Sequence, residues 1–131
     1  MRFHLCAAFY VLIFMRFYDF TRAESILIYA VIALVIALEA LNTAVEAIVD
    51  LVSPERTKLA GIAKDCAAGA VLAAAVGAVF IGAVLFWNVE VFERIGRYFA
   101  ENTGMLILLI VSLILWTAFI FLPHGKENDN D

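Results

Sequence analysis

Two stretches without a formal charge, Cys66 to Val89 and Asn102 to Gly125, each 24 residues long, limit what this chain can become more than any other feature. A helix crosses a hydrocarbon core about 30 Å thick with about 20 apolar residues, and inside that core every backbone amide must be paired within the segment itself. Hydrophobic residues make up 65% of the 131-residue chain, charged residues only 17%, and the mean hydropathy is +0.96. The expected class is therefore an all-α integral membrane protein, a helical bundle rather than a soluble globular domain. The net charge of −4 is small and owes much to Glu127, Asp129 and Asp131 in the tail, so no basic field for nucleic acid exists. Cys6 and Cys66 are single residues in or beside apolar segments and are read as packing residues. With no CxxC, HExxH or Walker-type loop in the sequence, zinc, redox and P-loop chemistry have no foothold.

Four helical segments are predicted, at about 3–18, 24–52, 56–88 and 103–122. The chain divides into a transmembrane region 1–88, a linker 89–101, a further span 102–122 and a polar acidic tail 123–131. Ser53-Pro54-Glu55 marks the turn after the second segment, with Ser53 suited to cap the next helix and Pro54 to its first turn. Between Glu90 and Glu101, Val91, Phe92, Ile95, Tyr98 and Phe99 recur at helical spacing against Glu93, Arg94, Arg97 and Glu101, the pattern of an interfacial amphipathic helix. The first segment has 13 uncharged residues between Arg2 and Arg16, short for a crossing and close to a signal-peptide core. Arg16, Phe17, Tyr18, Asp19 and Phe20 put bulk and charge where a cleavable signal needs small neutral residues. The expectation is a span whose Arg2 and Arg16 side chains snorkel to the two interfaces.

Basic residues divide evenly. Arg2, Arg56, Lys58, Lys64 and Lys126 fall on one side, and Arg16, Arg22, Arg94 and Arg97 on the other. Five against four decides no orientation; if the Ser53 turn is cytoplasmic, as its three nearby basic residues suggest, both chain ends are cytoplasmic as well.

The second segment carries the chemistry. Glu39, Asn42, Glu46 and Asp50 interrupt an otherwise apolar run and fall at about 0°, 300°, 340° and 20° around the helix, a single polar wall. Glu39 lies about 22 Å from Glu24 along the axis, within about 8 Å of the far boundary of the core. A charge at a helix centre costs about 2.5–3.5 kcal/mol on insertion scales, so such acids should face protein, water, metal or substrate. A wet interfacial wall paired with Arg56, Lys58 and Lys64 is the structural alternative. In the third segment, 14 of the 24 residues from Ala60 to Ala83 are Ala or Gly, the composition of close helix approach in lipid. Lys64, beside the acids, can hold phosphate or simply neutralise them.

The run Glu39-Ala-Leu-Asn-Thr-Ala-Val-Glu-Ala-Ile-Val-Asp50, followed by Ser53-Pro54-Glu55, Ala63-Lys64-Asp65 and Ala67-Ala68-Gly69-Ala70-Val71-Leu72, resembles the prokaryotic diacylglycerol kinase family, which includes the undecaprenol kinases. The resemblance covers residues 1 to 88, with Met1-Arg-Phe-His4 similar to the start of the family's first transmembrane helix. It implies three family-like transmembrane helices, with the span after residue 102 as an extra one, in a multi-pass protein of the bacterial cytoplasmic (inner) membrane. It further implies a homotrimer with shared sites at the cytoplasmic face, and transfer of the γ-phosphate of ATP to a lipid hydroxyl with Mg²⁺ as cofactor. By position, Glu39 matches the general base and also touches substrate. Glu46 matches a metal-ligating and ATP-binding carboxylate, and Glu55, Arg56, Thr57, Lys64 and Asp65 match nucleotide-binding positions. Asn42 and Asp50 match supporting polar positions, while Ala68, Arg2 and His4 match positions near the lipid.

Two departures accompany the resemblance. The family's N-terminal amphipathic segment precedes the first span and carries a second metal-ligating Glu three residues ahead of the Met1 position. It does not occur in this sequence, which is expected to reflect either a mis-called start or a shortened paralogue with impaired metal binding. The other departure is the extra span. Two readings from other classes stand beside the kinase: a non-catalytic membrane oligomer partner, and a proton or cation pathway through Glu39, Glu46 and Asp50.

Overall fold

Helix α1 (Arg2–Phe14) runs into a single 3₁₀ turn at Met15–Phe17, and α2 (Arg22–Val52), α3 (Lys58–Phe86), α4 (Val89–Glu101) and α5 (Thr103–Phe121) follow. The structure is a computed structural model that describes residues 2–53, 55 and 57–121. Among the described residues there is no strand, in keeping with spans that must satisfy their own backbone in lipid. Three helices, α2, α3 and α5, are long and apolar enough to cross a membrane, with 31, 29 and 19 residues. The protein is a multi-pass, all-α membrane protein.

The first segment departs from its expected extent. The α-helix stops at Phe14 rather than continuing to residue 18, and its 13 residues measure about 20 Å, short of a core about 30 Å thick. The chain then tightens into the 3₁₀ turn, whose larger rise carries it to the Asp19–Thr21 connection. A capping box starts α2: the Thr21 hydroxyl accepts from the Glu24 N–H at 3.3 Å, and Glu24 Oε2 accepts from the Thr21 N–H at 2.8 Å.

The turn after α2 also differs from the sequence reading. Ser53 closes α2 instead of capping the next helix, and its hydroxyl is drawn into the turn, donating to the Glu55 carbonyl at 2.8 Å. Thr57 caps α3 in its place, accepting from the Ala60 N–H at 3.2 Å. Pro54, expected in the first turn of α3, lies outside the described residues, as do Met1, Arg56 and the tail from Leu122.

Packing ties the helices at both ends. The antiparallel α2/α3 hairpin is the most extensive interface. Helix α1 lies between α2 and α5, antiparallel to α5: Tyr10 and Ser112 share a hydroxyl hydrogen bond of 2.9 Å, and Arg2 donates to the Phe119 carbonyl at 2.9 Å. The Arg2 guanidinium also sits 4.6 Å from the centre of the Phe119 ring, a cation–π contact. At the opposite end the rings of Tyr18, Phe20 and Phe86 stack and meet edge to face at 4.9–5.2 Å, and the Tyr18 hydroxyl donates to the Phe86 carbonyl at 2.7 Å. Burial there pushes the pKa of that phenol up. Helix α4 joins the same end through Phe17 against Tyr98 and through Arg94, which donates to the Phe17 carbonyl and lies 3.5 Å from Asp19.

Arg2 and Arg94 therefore stand at opposite ends of the bundle, as the sequence's grouping of basic residues requires. Among the described residues only Ile28, Val35 and Val91 are buried, and most large apolar side chains face outward, where lipid is their solvent. Val91 places the apolar stripe of α4 against the bundle, with Glu93, Arg94 and Arg97 exposed, but Phe92 of that stripe remains 47% exposed. Cys66, expected as a packing residue, is exposed.

The attachment of α4 depends on Asn88, whose side chain accepts from the Glu90 and Val91 N–H groups. Asn88→Ala should cost α4 about 1 kcal/mol, read as roughly fivefold faster amide hydrogen exchange at its first turn with the spans unaffected.

Candidate active site

Glu39 occupies the face of α2 that α1 covers. It is 17 residues from the start of α2, about 26 Å along the axis, and the remaining 13 residues to Val52 extend about 20 Å beyond it, so α2 is longer than a core about 30 Å thick. Its side chain is only 11% exposed, yet it meets a polar partner from the other end of the sequence: His4 Nδ1 lies 2.6 Å from Glu39 Oε1. With the carboxylate ionised, the imidazole is the donor. The Glu39 backbone carbonyl accepts from the Thr43 hydroxyl at 3.0 Å.

Past Glu39 the wall opens to water in the order in which it climbs the helix. Asn42 is half-buried, and its amide donates to Glu46 Oε1 at 2.7 Å. Glu46 is exposed, and Asp50, one turn on, is 69% exposed and accepts from Lys64 Nζ at 2.6 Å across the hairpin. The single face read from spacing is thus a graded surface, from a half-enclosed carboxylate at membrane depth to a solvated ion pair outside it.

The remaining candidates divide. Glu55 is exposed in the turn, and Asp65 and Ala68 are exposed on α3. The Thr57 hydroxyl serves as the α3 cap, and Arg56 lies outside the described residues. Arg2 stands at the His4 end of α1 but reaches α5. The structure brings together His4 with Glu39, Asn42 with Glu46, and Lys64 with Asp50. Sequence reasoning offered no sign of the Arg2–Phe119 and Tyr10–Ser112 contacts. The one available signal was that Tyr10 and Ser112 are polar groups in apolar helices, each of which gains from a partner.

A magnesium site is testable on the donor set. Among the described residues, no three His, Cys, Asp or Glu side chains converge into a cage for a metal. The Asn42 carbonyl oxygen, however, is buried with no hydrogen-bond partner among the described residues, and it belongs to the residue that touches Glu46. One carboxylate and one amide oxygen suit a hard, largely hydrated ion that arrives on phosphates, the manner in which Mg²⁺ binds.

Comparison with known proteins places this wall in context. The model of the prokaryotic diacylglycerol kinase family matches residues 1–86, which take in α1, α2 and α3. The chain belongs to this family. A diacylglycerol kinase of Synechocystis is 60% identical over 53 residues, which are 40% of this chain and 30% of that protein. The undecaprenol kinase of Bacillus subtilis is 41% identical over 85 residues, 65% of this chain and 69% of its own length. A diacylglycerol kinase of Escherichia coli is 37% identical over 70 residues, 53% of this chain and 57% of its own. The chain therefore spans from less than a third to about two thirds of the curated relatives it matches. No solved structure matches it. Within this family member, α4 and α5 lie beyond the matched region.

The solvated Lys64–Asp50 pair is a weak staple, since exposed ion pairs contribute about 0–1 kcal/mol. Asp50→Asn should change unfolding stability in detergent by no more than about 0.5 kcal/mol, measured by reversible denaturation at low and high salt. A larger loss would make the pair a structural element rather than an available cation.

Proposed function

We propose that this protein transfers the γ-phosphate of ATP to the hydroxyl of a membrane lipid, diacylglycerol or undecaprenol, at the cytoplasmic face of the bacterial inner membrane. The observation that carries the reading is the His4–Glu39 contact at the edge of the bilayer. It holds a carboxylate where a lipid hydroxyl from the bilayer and a phosphate from water can both reach. A lipid alcohol is a poor nucleophile, and Glu39 accepts its proton as it attacks, an action that depends on held geometry as much as on basicity. His4 orients the carboxylate through Oε1.

The rest of the wall serves the nucleotide. Lys64 stabilises charge on the transferred phosphoryl group, moving between that role and Asp50, so no P-loop is required. Glu55, Thr57 and Asp65 line the turn and the start of α3 as nucleotide contacts, Arg56 shares that role by its place in the sequence, and Arg2 and Ala68 flank the lipid. Glu46, with Asn42 beside it, would hold Mg²⁺, which when bound lessens the repulsion between ATP and the acidic wall. A homotrimer with shared sites fits the α3 surface, where a Cβ added at Gly61, Gly69, Gly77 or Gly82 would meet nothing within 4 Å.

Phosphorylation assays on the purified protein in phospholipid vesicles with Mg-ATP, comparing diacylglycerol and undecaprenol, test the proposal; product from neither lipid overturns it. Glu39→Gln should lower turnover by at least about a hundredfold while ATP binding stays largely intact. Unchanged turnover would remove Glu39 from its role. Glu46→Gln should instead raise the Mg²⁺ concentration needed for half-maximal activity, and an unaltered metal titration would count against the assignment.

A further inference from the structure

Further along α1 from His4, a cavity of about 390 Å³ opens between α1 and α4, lined by Ala7, Tyr10, Val11 and Phe14 on one side, by Phe92 and Ile95 on the other, and by Tyr18 and Phe86 at the far end of the bundle. Around α1, His4 and these four lining residues fall within an arc of about 120°, so the stripe that begins at the candidate site continues without a break into the cavity. The phenols on its wall are committed elsewhere, Tyr10 to Ser112 and Tyr18 to the Phe86 carbonyl, which leaves aromatic and aliphatic carbon facing the space. A site at membrane depth with such a lining takes hydrocarbon and excludes water. From His4 to Phe14 the stripe runs ten residues, about 15 Å, and the cavity takes up its lower part from Ala7 to Phe14. At that depth α4 crosses the path, held there by its Asn88 cap, by buried Val91 and by Arg94 on Phe17.

We propose that this cavity receives the hydrocarbon tail of the acceptor lipid, and that Phe92 and Ile95 of α4 form its floor and set the tail length the protein accepts. The inference rests on the lipid-kinase reading above and extends it to an element outside the family-matched region. A lipid whose hydroxyl stands at Glu39 runs its tail down the His4–Phe14 stripe. Tails of about 15 Å fit, and longer ones meet α4 edge on.

Two measurements test this separately from the kinase reading. In vesicles with Mg-ATP, Ile95→Trp, which fills the floor, should shift the ratio of kcat/KM for a short-chain over a long-chain diacylglycerol by about tenfold or more. Phe92→Ala should shift it the opposite way. Independently of turnover, a diacylglycerol with a photoactivatable diazirine at its tail end should label α4 around Phe92 and Ile95, and one with the diazirine near the glycerol should label α1 around Ala7. A chain-length profile unchanged in both folded variants overturns the floor. Tail-end labelling confined to the α3 surface, or equal labelling of α4 by a diazirine phosphatidylcholine, overturns the cavity as the acceptor's seat. If no lipid is phosphorylated yet the tail-end diacylglycerol labels α4 selectively, the kinase reading fails and the binding site stands.

Discussion

A carboxylate at the edge of a lipid core must have company, and that requirement organises this protein. Glu39 is nearly enclosed in the bundle, and the imidazole of His4, 35 positions earlier in the chain, meets it at 2.6 Å. A short α1, too brief to cross the core on its own, is thereby tied to the long α2 at its chemically important end. Its other end is tied by packing, through Phe17 to α4, and its middle by Tyr10 to α5. The position of one acid thus fixes how the most weakly anchored helix lies in the bundle.

The graded environment of the polar wall follows from helix length. Because α2 is longer than the core is thick, its apolar part lies within lipid and the stretch from Asn42 onward emerges into water with the start of α3. A wall of that form is partly dry at Glu39 and wet at Asp50, which is the arrangement needed to join an apolar acceptor to a highly charged donor. The segments outside the family-matched region join the bundle at two levels: α5 grips α1 through Arg2 and Ser112, and α4 closes the far end beneath the cavity.

Much of this was legible from residue order. Uncharged lengths specify helices long enough to span lipid, the rhythm from Glu39 to Asp50 specifies one polar face, and the stripe of Val91, Ile95, Tyr98 and Phe99 specifies an amphipathic helix. Each is a local consequence of 3.6 residues per turn, so no knowledge of neighbours is needed. The local reading erred at caps. Ser53 and Thr57 are both competent capping residues, and which of them starts α3 depends on how tightly the hairpin closes, a property of two helices together.

Sequence alone therefore determined the class of the protein, the polar wall and the depth of Glu39, because hydrophobic length and helical periodicity are written in consecutive residues. Only the tertiary structure decided that His4 meets Glu39, that Lys64 meets Asp50, that α5 holds α1 and that α4 lines a cavity with α1. Those contacts join residues from 14 to 117 positions apart. In lipid, where apolar surface gives little direction, the few polar and aromatic partners choose which helices become neighbours.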